Sequence, residues 1–201
     1  MSVRVEILDG DRVAACLDDL SALRLSIFRE WPYLYDGDAT YEADYLETFR
    51  ASGDTIIVGA FDNDTMVGAA TASPLAGHSV EFVPLFEAHG FDPATVFYCG
   101  ESVLLPDYRG QGIGHAFFDH REAHARCLNA RGATFQHVTF CGVVRADNDP
   151  RKPTGYRPLD GFWRKRGFEP APGITGNYDW REVGGGPEEI PHAMQFWLKP
   201  L

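Results

Sequence analysis

The sequence predicts a mixed α/β (α+β) fold, and three observations carry that expectation. Apolar spacing switches repeatedly between a period of two and one near 3.6, the signatures of half-buried strands and amphipathic helices. The resulting order is strand, two helices, hairpin, strand, helix, strand, helix, strand, strand. No internal repeat or interdomain linker interrupts it, so residues 1–201 are expected to form one domain.

Val3, Val5 and Ile7 alternate with polar residues as in a strand that ends at Asp9-Gly10. The period then changes: Val13, Cys16, Leu17, Leu20, Leu23, Ile27 and Phe28 form one helical stripe, with Asp11 as its expected cap and Pro32 helping to stop it. A second helix is expected over Tyr41 to Phe49, after the aromatic and acidic connector REWPYLYDGD. The runs TIIVGAF and MVGAATA, joined across Asp62 to Thr65, read as a hairpin. A short helix is expected between Ser79 and Gly90 despite Pro84. Val96 to Leu105 is a strongly apolar strand carrying one charge, Glu101. It runs into PDYRGQGIG, after which Ile113, Ala116, Phe117, Ala123, Cys127 and Leu128 form the stripe of a helix. Gln136 to Val144 reads as a strand and Leu159 to Arg166 as a short helix closed by Gly167. Thr175 to Glu182 and Met194 to Leu198 complete the set as strands, with Gly184 to Pro187 in the loop between them.

Composition narrows the function. A hydrophobic fraction of 44% with 14 Phe supports a core that needs neither disulfide nor metal. A formal net charge of -11 argues against a phosphate-backbone partner, so no nucleic acid is expected. One positive patch remains: Arg145, Arg151, Lys152, Arg157, Arg164, Lys165 and Arg166 face only Asp147, Asp149 and Asp160 over the same segment. Cys16, Cys99, Cys127 and Cys141 are widely spaced in apolar stretches and read as reduced core residues. The opening MSVRVEILDG has no signal-peptide pattern, and no run approaches 18 apolar residues. No membrane partner and a cytoplasmic address are therefore expected.

The chemically informative run is RGQGIG, Arg109 to Gly114, set between a buried strand and a helix. Gly110, Gly112 and Gly114 remove three side chains from a tight curve, so that successive backbone N–H groups can approach an anion. The following helix adds its unpaired N-terminal donors and the positive end of its dipole. Spacing alone leaves an empty structural turn equally open. A dinucleotide fingerprint is disfavoured because GQGIG is not G-x-G-x-x-G, and a P-loop because no Gly-Lys-Ser/Thr follows.

The longer run VLLPDYRGQGIG resembles the acetyl-CoA signature of the GNAT family of N-acetyltransferases, whose R/Q-x-x-G-x-G/A core follows the fourth strand. Gln111 matches the start of that core, Gly114 its first fixed glycine and Ala116 its final small residue. FWRKRGF, Phe162 to Phe168, resembles the glycine-phenylalanine turn found later in the same family, so the close resemblance covers residues 98–168. It implies an acyl-CoA N-acyltransferase fold: a central, mostly antiparallel twisted sheet with splayed fourth and fifth strands, flanked by helices. It also implies acetyl-CoA as cosubstrate, no metal, and a small or peptidic amine as acceptor; a homodimer is left open. In the implied donor site, the loop formed by Arg109, Gly110, Gln111, Gly112, Ile113, Gly114, His115 and Ala116 binds pyrophosphate. Main-chain groups of Val103, Leu104 and Leu105 pair with pantetheine, and Pro106 suits the strand end.

For direct amine attack on the thioester, a base must take the ammonium proton and an acid must serve the departing sulfur. Glu101 is the candidate base; its other reading is an acid that only attracts a cationic substrate. Where the family often has a tyrosine acid, four residues before the late Gly-Phe turn, this chain has Trp163, and an indole is no substitute for a phenol as proton donor. Tyr156 is the replacement candidate, with Tyr98 weaker and water a further alternative. Cys99 and Cys141 lack any base-cysteine-orienter spacing, and His115, His120 and His124 do not assemble a zinc site. Glu30, Trp31, Tyr33, Tyr35, Asp36 and Asp38 are the candidate acceptor contacts for a cationic amine. Transfer of another acyl group, or a non-catalytic acyl-CoA-binding module, remain rival readings.

Overall fold

The computed structural model describes residues 3–38, 54–78 and 80–201; the helix expected over Tyr41 to Phe49 lies outside them. Seven strands form one sheet in the order β1-β2-β3-β4-β5-β7-β6. They are β1 (Arg4–Ile7), β2 (Ile56–Asp62), β3 (Thr65–Pro74), β4 (Val96–Leu104), β5 (His137–Val143), β6 (Glu169–Trp180) and β7 (Ile190–Pro200). Every neighbouring pair is antiparallel except β4 and β5. The helices are α1 (Gly10–Phe28), α2 (Leu75–His78), α3 (Val83–Ala88), α4 (Ile113–Asn129) and α5 (Asp160–Lys165). The late strands run well beyond the sequence-based bounds. Their apolar alternation is broken by Pro170, Pro172 and Gly173, and pairing with β7 extends the ladder regardless of local propensity.

Helix α1 is capped by Asp9 rather than Asp11: the Asp9 carboxylate accepts from the Arg12 N–H at 3.0 Å. Its buried face, Val13, Cys16, Leu20, Leu23 and Arg24, packs with Ile57, Phe61 and Val103 on one side of the sheet. Further along that side, Phe82 and Phe86 pack with Tyr98, Ile174 and Phe196. On the opposite side, α4 and α5 cover a phenylalanine-rich cluster that includes Phe97, Phe117, Phe118, Phe140 and Phe168. Burying each such ring stabilises the fold by about 1.5–3 kcal/mol relative to exposure.

The face of α4 departs from expectation. Its buried stripe is Ile113, Phe117, Phe118, Arg121, Glu122, Ala125 and Leu128, a regular i, i+4 ladder that contains two charges. Ala123 and Cys127 point outward, so Cys127 is exposed and Cys141 only half-buried; Cys16 and Cys99 are core thiols as expected. The two charges, Arg121 and Glu122, are buried because each finds polar partners there: Arg121 in carbonyls of β3 and β4, Glu122 in Arg166 and Lys199.

Strands β4 and β5 pair only through Val96↔His137, Phe97↔Val138 and Tyr98↔Thr139. Beyond Tyr98, β3 is the only strand that pairs with β4 among the described residues, so the implied splay is present and the far edge of Cys99 to Leu104 faces a wedge. The register of β4 against β3 also shifts there: Cys99 opposes Ala72 and Ser102 opposes Ala70, leaving Gly100 and Glu101 opposite the single residue Thr71. This bulge inverts the parity of the strand. Before it, Phe97 and Cys99 face α4; after it, Val103 faces α1.

Candidate active site

The glycine loop follows β4 through a 3-10 turn at Pro106–Tyr108. Tyr108 anchors it by donating its hydroxyl to Asp62 Oδ2 at 2.8 Å, and Gln111 donates its side-chain amide to the Asp107 carbonyl at 3.0 Å. Gly110 and Gly112 have φ values of 77° and 85°, a region that side chains disfavour, and Gly112 is the N-terminal residue of α4 with no side-chain cap. The first-turn donors of α4 are thus left without the usual capping oxygen. Gly114 serves a different purpose: a Cβ there would lie 3.3 Å from the Phe162 ring, so its hydrogen lets α5 pack against the first turn of α4. His115 is exposed and meets Phe162 edge-on at 4.9 Å, Ile113 is buried and Ala116 is half-buried. Gly112→Val is expected to strain the loop by roughly 1–2 kcal/mol or more and to weaken CoA binding about tenfold or more in calorimetry; unchanged affinity would remove the loop from the donor site. Crowding is not the cause, because a Cβ at Gly112 meets nothing within 4 Å.

Arg109 turns back from the loop. Its Nε donates to the Leu104 carbonyl at 3.2 Å and its Nη2 meets Glu30 at 3.2 Å, tying the strand end to the segment after α1. Leu105 donates its N–H to the Val67 carbonyl, so Val103, Leu104 and Leu105 are held by β3 on one edge while the other borders the wedge.

Glu101 lies on the α1 face, 8% exposed, and its carboxylate Oε2 is 2.7 Å from Arg24 Nη1. Its N–H donates to Thr71 Oγ1 at 3.3 Å. Arg24 was not anticipated, although it falls within the apolar stripe of α1, four residues after Leu20. Near Glu101 stands a group of rings. Burial, reinforced by nearby Cys141, Tyr156 and Glu101, pushes the Tyr33 phenol above its ordinary range. Trp31 meets Tyr156 edge-on at 6.2 Å, and Tyr98 Oη is 3.3 Å from Cys141 Sγ. Burial pushes the Cys141 thiol up to about 12 and raises Cys99 as well, which works against a thiolate nucleophile at either position.

Much of the positive patch is tied up in ion pairs, some local and some with acids remote in sequence. Arg145 and Arg151 share Glu182, Arg151 also holds Asp149 at 2.7 Å, Arg164 meets Glu169, and Arg166 bridges Asp119 and Glu122. Arg145 further donates to the Pro32 and Tyr33 carbonyls at 2.7 and 2.8 Å, pinning the aromatic connector. Among the expected acceptor contacts, Asp36 is engaged by Arg29 and Arg181, and Glu30 by Arg109. Tyr35 forms an isolated bridge with Glu182. Glu30 and Asp36 are therefore held in ion pairs.

The wedge, the glycine loop and the buried acid coincide with a family match over residues 20–151, more than half of the chain, to the acetyltransferase (GNAT) family. The chain belongs to the acetyltransferase (GNAT) family. As an acetyltransferase of this kind it moves an acyl group from an acyl-CoA to an amine. The same fold appears in a GNAT-family acetyltransferase from Streptococcus pneumoniae, with 9% identity over 100% of both chains and a TM-score of 0.59. It appears also in a ribosomal-protein-alanine N-acetyltransferase from Brucella melitensis, with 16% identity over 98% of this chain and 99% of that one and a TM-score of 0.57. An aminoglycoside 6'-N-acetyltransferase complexed with coenzyme A gives 19% identity, 98% and 96% coverage and a TM-score of 0.58. No curated protein matches the sequence. In this acetyltransferase Trp163 packs into the aromatic cluster, 4.9 Å from Phe140 and 5.0 Å from Trp197, over Gly142, where a Cβ would sit 3.1 Å from the indole. Tyr156, by contrast, stands beside Trp31 on the other side. No described helix is long and apolar enough to cross a membrane, and no group of three or more potential metal ligands occurs among the described residues.

Proposed function

We propose that the chain transfers an acetyl group from acetyl-CoA to the amine of a small cationic or peptidic acceptor in the cytoplasm. The observation that carries this reading is the parting of β4 from β5 beyond Tyr98, with the glycine loop at the end of the parted strand. The free edge of β4 offers main-chain groups to pantetheine, and Gly110 to Gly114 offer N–H groups to the pyrophosphate, those of His115 and Ala116 being bonded to the Gly112 carbonyl at 3.0 and 3.1 Å. The acceptor enters from the α1 face, where Trp31, Tyr33 and Tyr156 provide ring faces for an ammonium group. Glu101 takes a proton from the ammonium, directly or through one water, with Arg24 fixing the carboxylate. The neutral amine then attacks the thioester carbonyl: a C–N bond forms, the C–S bond breaks, and the nitrogen passes its second proton to solvent water, which returns to Tyr156 the proton it gives up. Tyr156 protonates the departing thiolate.

Burial, together with Asp160, raises the Tyr156 phenol above its ordinary 10.0 while Arg109 pulls it down, so the hydroxyl holds its proton throughout the neutral range. Tyr156→Phe is expected to lower kcat about tenfold or more and to remove the alkaline fall of the wild-type rate profile. A profile and kcat equal to wild type would take Tyr156 out of the chemistry. A second reading, an acyl-CoA-binding module without catalysis, is favoured by the packing of Trp163 at the position of the family's tyrosine. Both readings meet one experiment: a library of amines with acetyl-CoA and longer acyl-CoAs, read by thiol release and product mass. An acetylated amine supports the proposal, and CoA binding with no thiol release across the library supports the module.

A further inference from the structure

Arg121 belongs neither to the glycine loop nor to the acceptor face, yet it is 1% exposed on the sheet-facing side of α4. Its Nη1 donates to two main-chain carbonyls, Thr71 at 3.3 Å and Glu101 at 3.2 Å, the residues that face each other across the β3–β4 irregularity. Its Nε donates to the Phe117 carbonyl at 3.2 Å, and the guanidinium stands 4.5 Å from the Phe118 ring centre. Nη2 has no hydrogen-bond partner among the described residues.

A bulge interrupts the ladder and turns carbonyls away from their strand partners, and a buried carbonyl without a donor is costly. Here one planar charged group serves both strands from Nη1 while its Nε holds the Phe117 carbonyl, a two-nitrogen geometry that a lysine ammonium does not reproduce. The consequence reaches the site. With Gly100 and Glu101 opposing Thr71 alone, the odd-numbered residues after the bulge face α1; in an unbroken strand Glu101 would face α4 beside Phe97 and Cys99. The same irregularity begins the stretch over which β4 has left β5.

We infer that Arg121 is a positioning residue for the reaction: by holding the Thr71 and Glu101 carbonyls it fixes the β4 bulge, and through it both the Glu101 carboxylate and the Val103 to Leu105 edge. The inference rests on the proposed reading of Glu101 as base and of the wedge as the donor cleft. Arg121→Lys and Arg121→Met test it, with CoA binding by calorimetry and steady-state rates with acetyl-CoA and the library amine turned over fastest, all well below each variant's Tm. Arg121→Lys is expected to raise the Kd for CoA and to lower kcat, each about tenfold, and Arg121→Met to do more. On a Glu101→Gln background, Arg121→Lys is expected to lower kcat by less than about twofold, because two residues acting through one placement are not additive. A lowered Tm with unchanged kcat and Kd per folded molecule, or the same fold-loss of kcat on both backgrounds, would reduce Arg121 to a structural role and overturn the inference. Arg121→Lys keeps the charge and carries the test if Arg121→Met does not fold. Failure of the wild type itself to bind CoA would overturn the donor-cleft reading and this inference with it.

Discussion

Replacing Glu101 by Gln is expected to lower the rate of amine acetylation near neutral pH by about a hundredfold, the lower end of what a positioned general base contributes, and to leave CoA affinity nearly unchanged. The substitution keeps shape and keeps an oxygen that accepts from Arg24 Nη1, now 2.7 Å from Oε2. It also leaves the Glu101 N–H on Thr71 Oγ1 and the Glu101 carbonyl on Arg121, so the bulge survives and the donor edge with it. The ability to take a proton is lost, and with it the negative charge beside the buried Arg24, so the rates are compared per folded molecule. The deficit should narrow as pH rises toward the pKa of the acceptor amine, about 10.4 for a lysine-like group, because the solvent then supplies the neutral nucleophile. An equal rate for the two proteins across the pH range would show that Glu101 is not the essential base.

Glu122→Leu is expected to give the largest loss of stability. Glu122 is 5% exposed and its Oε1 accepts from Arg166 Nη2 and Lys199 Nζ, each at 2.8 Å, while Arg126 lies 3.6 Å from Oε2. Removing the carboxylate leaves the Lys199 ammonium and the Arg166 guanidinium together in a part-buried site. Breaking a buried ion pair from one side costs about 3–5 kcal/mol, which corresponds to a fall in Tm of at least 6 °C or so for a chain of this size. Asp119 bonds the same arginine from the surface, with its side chain 64% exposed, so Asp119→Ala should cost no more than about 1 kcal/mol. Adding Lys199→Met to Glu122→Leu should recover part of the loss. Thermal unfolding measures all three, and a Tm within a degree of wild type for Glu122→Leu would mean that the network carries little. The network joins α4 to the residue after α5 and to β7, so the helix that begins with the glycine loop is anchored far from that loop.

The glycine turn was legible because its signals are local. Gly110 and Gly112 adopt positive φ in a turn whose neighbours in sequence are its neighbours in space, and Pro106 ends the strand where a proline is expected to. Glu101 stood out as one charge in an apolar run, and it is buried. The same local logic failed where a charge lies on an apolar face. Arg24 and Arg121 occupy core positions of α1 and α4, at i+4 from Leu20 and Phe117, but their partners come from β4 and β3, elements distant in the chain. The positive patch failed for the same reason: the acids that neutralise much of it, Glu182, Glu169, Asp119 and Glu122, lie outside residues 145–166.

By itself, then, the sequence determined the order of the seven described strands and of the helices α1, α4 and α5, the glycine turn and the presence of a lone acid in the strand before it. The tertiary structure decided which way that acid points. Side-chain direction in a strand follows a period of two, and a single extra residue in the ladder inverts it. Whether a bulge forms between Cys99 and Ser102 depends on a carbonyl of β3 and a guanidinium of α4 meeting there, and no spacing within β4 records either.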